Sequence, residues 1–327
     1  MLIDSSITTG LQQAHDSRVD HGLAMVTAIV AIILASRLHS YVLFHSLAEL
    51  FSIVVGLTAF SIAWNTRHHI ESGFLLVVGL TFGPVAGIDL MHTLAYKGMG
   101  VFPGADANLP TQLWIAGRIL EVGGIVAASL VADSRRFSTR PVVVVAIGSM
   151  SALLAAIFWW DVFPDCWRAG SGLTPFKVGM EYAFMTLLSL ALFRLWTHRH
   201  RFAPDLFPLV FASVALVIVE EACFTLYTDV YGALNLAGHI AKIGSFYLIY
   251  AGLVRFGFAR PQELLYRRLN QLNARLADDA LRSNERASLA VAAVGGAAWE
   301  WDMLSPAIVL TPRHAEWLRT SGTPSSA

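Results

Sequence analysis

Long apolar segments, each close to 20 residues, recur along the sequence as far as residue 258. An α-helix rises 1.5 Å per residue, so about 20 apolar residues cross the hydrocarbon core of a bilayer. Hydrophobic residues make up 55% of the chain, and the mean hydropathy of +0.58 exceeds that of a soluble domain. The sequence therefore predicts an all-α polytopic membrane protein, an eight-helix transmembrane bundle with spans at residues 22–37, 42–63, 72–96, 112–132, 140–160, 178–197, 206–228 and 236–258.

Basic residues in the short loops predict the orientation of the bundle, because cytoplasmic loops are rich in Lys and Arg. One side carries Arg67, Arg135, Arg136, Arg140, Arg194, Arg199, Arg201, Arg255, Arg260, Arg267 and Arg268. The other side carries Arg37, Lys97, Arg168 and Lys177. We therefore expect a multi-pass protein with both termini in the cytoplasm. The tryptophans Trp114, Trp159, Trp160 and Trp167 are placed in an outer aromatic belt. Lys plus Arg and Asp plus Glu number 23 each, which does not indicate a nucleic-acid partner.

The segments that flank the predicted bundle of residues 22–258, namely 1–21 and 259–287, are polar. Residues 1–21 form a predicted cytoplasmic N-terminal segment, and residues 259–287 a helical linker. A four-three-four spacing in the linker is typical of a short coiled-coil seam, here in a parallel homodimer, although a solvated amphipathic helix is the alternative; its members are Leu265, Leu269, Leu272 and Leu276. Residues 288–318 are expected to be the incomplete start of a small α/β domain, and residues 319–327 a disordered tail.

Strongly polar residues within the predicted spans fall in one layer near the outer surface. Counting residues from the outer helix ends places most of them about 10 Å deep. A shared depth predicts one outward-opening polar pocket, because a charge near the bilayer centre needs a partner or water. The predicted pocket residues are His45, Glu49, Asp89, His92, Gln112, Arg118, Glu121, Glu181, Glu220, Glu221, His239 and Lys242.

The polar layer contains more carboxylates than permanently charged basic groups. Six carboxylates face two permanent cations, Arg118 and Lys242. Protons, charged histidines, a bound cation or water must offset the rest. The alternative is that these residues only hold helices together.

Three ligand classes follow: a divalent transition metal, a proton, or a small organic molecule. For a metal, the mixed ligand set would be His45, His92 and His239 with Glu49 or Asp89, which suits a transition metal better than calcium or magnesium. Haem bound by two of the histidines is a weaker alternative.

Several stretches resemble the third class of membrane-associated sensor domains, the MASE families: HSLAELFSIVVG (45–56), AWN (63–65), GIDLMHTLAYKGMGVFPG (87–104), TQLWIAGRILE (111–121), VFPDCWRAGSGLTPFK (162–177) and LYTDVYGALNLAGHIAKIGSFYLIY (226–250). Residues 288–318 resemble the start of a PAS domain, with AAWEWDM as the first strand.

The resemblance implies a sensory input module of the bacterial inner membrane, followed by PAS domains and then a diguanylate cyclase or histidine kinase, in cyclic-di-GMP or two-component signalling. The chain itself carries no P-loop, nucleophile elbow, GGDEF-like loop or phosphoacceptor helix, so we expect it not to be an enzyme. A secondary transporter is the main alternative, because transporters also bury carboxylates.

Overall fold

Helices dominate the structure, a computed structural model that describes residues 24, 26–131, 138–226, 232–293, 299–301 and 308–310. Seven of the described helices are long and apolar enough to cross a bilayer. A shorter apolar helix, α1 (Val26–Ser36), precedes them. The seven are α2 (Tyr41–Asn65), α3 (Gly73–Ala95), α4 (Asn108–Val131), α5 (Thr139–Phe158), α6 (Pro175–Thr197), α7 (Phe207–Leu226) and α8 (Ala233–Gly252).

Seven of the eight predicted spans correspond to long apolar helices among the described residues, whereas the first predicted span, 22–37, includes residues outside them. The described part of α1 rises about 16 Å, roughly half the hydrocarbon thickness of a bilayer. Ile33 of α1 is buried against Phe44 and Ala48 of α2 and Ile243 of α8, so α1 still packs on the bundle. The predicted segment 1–21 lies outside the described residues.

Side-chain caps fix where three of the helices begin. Ser40 and Ser72 accept hydrogen bonds from the backbone N–H groups of Leu43 and Leu75, at 3.1 and 3.3 Å, at the starts of α2 and α3. Thr174 caps α6 in the same way, and Pro175 occupies its first turn. Proline is favoured there because no helical partner for its N–H is lost. Helix α6 therefore begins three residues before the predicted residue 178.

Helix α3 is the most enclosed of the seven and lies against α2, α4 and α5. Close contact between α3 and α4 depends on Gly124, where a Cβ atom would lie 2.6 Å from Oγ1 of Thr81. Small residues at such contacts let helices approach in a membrane, where lipid supplies no hydrophobic drive for association. Helix α5 buries only Ala146 and Ile157 among its side chains and otherwise presents an apolar surface suited to lipid.

A structured loop closes one end of the bundle between α5 and α6. Strands β1 (Trp167–Arg168) and β2 (Gly172–Leu173) pair antiparallel within it. Asn108 at the start of α4 holds this loop: its Oδ1 accepts from the backbone N–H groups of Cys166 and Trp167, at 2.8 and 3.0 Å. Gln112 donates to the carbonyl oxygens of residues 163 and 164, at 3.0 and 3.2 Å. The helix start and the loop therefore form one ordered cap.

The first compact unit, residues 1–261, also contains two short helical segments. A short 3-10 helix (Arg199–Arg201) follows α6, and a π-helix (Leu253–Ala259) follows α8. Helix α9 (Arg260–Ala293) extends six residues beyond the predicted linker 259–287.

The second unit, residues 262–327, contains most of α9 and one strand pair. Strands β3 (Trp299–Trp301) and β4 (Ile308–Leu310) pair antiparallel. Leu269, Leu272 and Leu276 of the predicted seam are exposed, whereas the side chain of Leu265 lies outside the described residues. Most of the predicted PAS-like segment, 288–318, and the predicted tail, 319–327, also lie outside them. Two strands of three residues do not establish a PAS domain.

Candidate functional site

Arg118 of α4 is the centre of one buried ionic group. Its side chain is fully buried and forms ion pairs with Glu121 on its own helix, with Glu220 of α7 at 3.0 Å and with Asp89 of α3 at 3.5 Å. The guanidinium also lies over the ring of Trp114, 4.5 Å from its centroid. One cation therefore joins three helices around a cluster of carboxylates.

Lys242 of α8 is the centre of a second group that shares Asp89 with the first. Its Nζ lies 2.7 Å from Oε2 of Glu49 on α2 and 2.9 Å from Oδ2 of Asp89. Lys242 also lies 5.0 Å from the ring centroid of Trp114. Because Asp89 contacts both cations, the two groups form one continuous network across α2, α3, α4, α7 and α8.

Lys177 of α6 is a third buried cation, which the sequence reasoning placed in an outer loop. Its Nζ lies 2.5 Å from Glu181 and 2.6 Å from the carbonyl oxygen of Phe224. Glu221 is buried nearby, and neither of its carboxylate oxygens has a hydrogen-bond partner among the described residues. The sequence signal for Lys177 was the Thr174 cap with Pro175, which moves the helix start outward and brings Lys177 inside the bundle.

A pocket of about 150 Å³ lies next to this network, at the end of the bundle closed by the α5–α6 loop. Its lining combines imidazoles, aromatic rings and two lysines: His45, His92, Tyr96, Lys97, Ala107, Pro110, Thr111, Trp114, Trp167, Lys177, Phe224, Asn235 and His239. Three of the twelve predicted pocket residues, the histidines, line it. We call this space the histidine pocket.

The other predicted pocket residues lie elsewhere. Gln112 contacts the α5–α6 loop. Arg118 and Lys242 form the adjacent buried network with Glu49, Asp89, Glu121 and Glu220, while Glu181 and Glu221 lie near Lys177. Trp114, predicted in the aromatic belt, is instead buried and lies between the histidine pocket and two cations. Sequence reasoning also missed Tyr96, which follows the last residue of α3, and Asn235 in the first turn of α8.

The three histidines of the pocket belong to three helices, and the ring of His45 packs against the other two. The ring centroid of His45 is 5.4 Å from that of His92 and 4.9 Å from that of His239. Tyr96 stacks on His45 with centroids 3.6 Å apart. Nε2 of His239 lies 3.4 Å from Oε1 of Glu49, so the histidine pocket adjoins the ionic network directly.

One ionisable group in the α5–α6 loop has a perturbed acidity. Cys166 is fully buried and its Sγ lies 3.6 Å from the carbonyl oxygen of Pro164. Burial raises the pKa of the Cys166 thiol to about 12, because the thiolate loses its hydration. Cys166 and Cys223 form no disulfide, and we expect Cys166 to act as a packing residue rather than as a reactive thiol.

Comparison with known proteins places the bundle in a family. A profile described as a membrane-associated sensor domain, MASE3, matches residues 36–261, which include α2 to α8 and every predicted pocket residue. No curated protein sequence matches the chain significantly. A sensor domain is not a catalytic one, so the match indicates no enzyme activity for these residues, and the apolar helices fit a multi-pass membrane protein. The chain belongs to the MASE3 family of membrane-associated sensor domains.

Proposed function

We propose that this chain is a bacterial integral-membrane input module that binds a small ligand or ion in the histidine pocket. The signal passes along the helices to a PAS-led output, a diguanylate cyclase or a histidine kinase. The observation that carries the proposal is the junction of pocket and network. His239 lines the pocket and lies 3.4 Å from Glu49, whose other oxygen contacts Lys242 at 2.7 Å.

The ionic network supplies a physical route from the pocket to the helices. Charges inside a bundle interact strongly because the surroundings screen them weakly. A ligand that changes the charge or hydrogen bonding of His239 or Glu49 therefore changes the pairing of Lys242 and Asp89, and with it the fit of α2, α3 and α8. Helix α8 is followed in the chain by the π-helix Leu253–Ala259, a form that is frequent at functional sites.

The size of the pocket supports a small occupant. Drug-sized ligands fill cavities of roughly 300–1,000 Å³, whereas this one measures about 150 Å³. An ion or an organic compound of a few heavy atoms fits, and a haem macrocycle does not. The described side chains that are buried in the far half of the bundle carry no charge: they are apolar, such as Leu195 and Val210, or small hydroxyls, such as Ser129 and Ser213. A polar pocket above an uncharged half supports a sensor rather than a transporter.

We place the pocket on the outer side of the bacterial inner membrane and the residues after α8 in the cytoplasm. The basic loops near Arg67 and Arg199 then face the cytoplasm, as loop charge requires. Reporter fusions after Gly104 and Ser138 test this placement. Activity of the periplasmic reporter at Gly104 and of the cytoplasmic reporter at Ser138 is expected, and signals from the same side at both positions contradict it.

A pocket-filling variant tests sensing itself. Ala107 lines the histidine pocket, whereas Ala105, two residues earlier, is exposed outside it. The full chain in nanodiscs carries a spin label at Arg275 of α9, and interchain distances are measured while divalent metals, protons and small aromatic amines are added. We expect a distance change that Ala107→Trp abolishes and Ala105→Trp leaves intact. A response equal in both variants contradicts a role for the pocket.

A further inference from the structure

Hydrogen bonds to the backbone fix the protonation of two histidines in the pocket. Nδ1 of His92 lies 2.7 Å from the carbonyl oxygen of Pro110, and Nδ1 of His239 lies 2.8 Å from that of Asn235. A carbonyl oxygen only accepts, so each Nδ1 must carry the proton. In a neutral ring the Nε2 lone pair is then available, which is the arrangement of metal-binding histidines.

Three further atoms at the same place lack hydrogen-bond partners. Nδ1 of His45, Oε1 of Glu49 and Nε2 of His239 are buried without one in the described part of the chain. His45 and Glu49 are 1% and 0% exposed. An unsatisfied polar atom at this depth costs free energy that a ligand recovers.

The positions of the candidate metal-ligand atoms in the histidine pocket fit a small cation. One ligand atom each from His45, Glu49 and His92 lie within 4.8 Å of one another. Donors about 2.0–2.1 Å from a tetrahedral zinc ion are about 3.4 Å apart. Small side-chain rotations therefore close the group around an ion. Nε2 of His239 lies 3.4 Å from Oε1 of Glu49 and is positioned as a further metal-ligand atom.

We propose that His45, Glu49 and His92 bind a divalent transition metal at the junction of the histidine pocket and the ionic network, with His239 beside them. Imidazole with one carboxylate suits zinc, cobalt or nickel, whereas calcium and magnesium take oxygen ligands. Asp89, which the sequence offered as an alternative carboxylate, is less suited because it contacts both Lys242 and Arg118. This proposal rests on the proposed function, because it names the ion that the pocket senses.

Lys242 limits the affinity of the proposed site for a metal ion and links the occupancy of the site to helix packing. Its ammonium contacts Oε2 of Glu49 at 2.7 Å, and repulsion between it and a metal ion lowers the affinity. A weaker site exchanges its ion, as a sensor must. The ion and Lys242 would both bind the carboxylate of Glu49. Occupancy of the site therefore shifts Lys242 toward Asp89 and alters the contacts that hold α8 against α2 and α3.

Cobalt binding to the full chain tests the site directly. The purified protein in detergent is stripped with a chelator and titrated with Co²⁺, with metal analysis and visible absorption as readouts. We expect one ion per chain and the intense d–d bands of a four-coordinate site. His45→Gln and His92→Gln should each weaken binding at least 100-fold, in line with the large effect of losing a metal partner. His200→Gln, at an exposed histidine outside the pocket, should leave binding unchanged.

The wild-type protein alone can overturn the proposal, whether or not the variants fold. Absence of stoichiometric cobalt and of four-coordinate bands in folded wild-type protein rejects the site, as does equal loss of binding in His200→Gln. Failure here is distinct from failure of the sensing function. A label response at α9 to a proton or an organic amine, blocked by Ala107→Trp, keeps the sensing function while removing the metal.

Discussion

Loss of the charge of Arg118 should destabilise the bundle strongly. The side chain is fully buried and pairs with Glu121, Glu220 and Asp89. Arg118→Met keeps an unbranched chain but leaves Glu121 and Glu220 without their cation, while Asp89 retains Lys242. Removing one partner of a buried ion pair costs about 3–5 kcal/mol, because the remaining charge stays buried. We expect the free energy of unfolding to fall by that amount.

Thermal unfolding in detergent, followed by intrinsic fluorescence, measures this loss. For a domain of 150–250 residues, each kcal/mol moves Tm by about 2–4 °C, so a decrease of roughly 6–20 °C is expected. Arg168→Met is the matched control, since Arg168 forms an exposed pair with Asp165, and such pairs contribute about 0–1 kcal/mol.

A second substitution decides whether charge is the cause. Adding Glu220→Gln to Arg118→Met replaces one of the stranded carboxylates by a neutral amide of the same shape. The double variant should regain at least half of the lost Tm. If Arg118→Met unfolds within about 2 °C of the wild type, or if Glu220→Gln lowers Tm further, the network does not hold the helices in the way described.

Three further results are expected. With Cys223 replaced by serine, native Cys166 should resist iodoacetamide at pH 8, because a pKa of about 12 leaves roughly 0.01% thiolate; labelling as fast as in denatured protein contradicts this. Asn108→Ala removes three hydrogen bonds to the α5–α6 loop and should cost about 2–3 kcal/mol of unfolding free energy, with faster hydrogen exchange at the Cys166 amide; unchanged exchange rejects its role. In chains lacking other cysteines, cysteine at Leu272 should crosslink between chains faster than at Asn270, and equal rates reject the parallel seam.

The lengths of the apolar segments predict most of the fold, whereas the capping residues determine how accurately the helix ends are predicted. The positions of α2 to α8 follow from hydropathy, because a bilayer demands long apolar helices whatever their packing. Helix ends were less accurate where the cap was overlooked. Thr174 and Pro175 start α6 early, and that difference moves Lys177 from the loop into the bundle.

Partner choice within the ionic network could not be predicted from the sequence. Spacing of three or four residues shows which side chains share a helix face, and Arg118 and Glu121, three residues apart on α4, do form an ion pair. Glu49 instead contacts Lys242, 193 residues away. Such a contact depends on how each helix is rotated about its axis, and an almost uniformly apolar helix carries little periodic signal of rotation. The sequence therefore indicated how deep each polar residue lies in the bundle, but not which neighbouring helix it faces.

The buried charges of the network connect the two proposals. Among the described residues, the addition of Lys177 raises the buried cations to three, Arg118, Lys177 and Lys242, against six buried carboxylates. The side chains alone therefore leave a deficit of three positive charges if every carboxylate is ionised. Neutral histidines, as the hydrogen bonds of His92 and His239 allow, contribute none. The proposed divalent ion at Glu49 would supply two, and a proton on Glu221, whose carboxylate oxygens have no hydrogen-bond partner among the described residues, would supply the third. On this proposal, an ion bound in the histidine pocket would change the charge balance on which the packing of the helices depends.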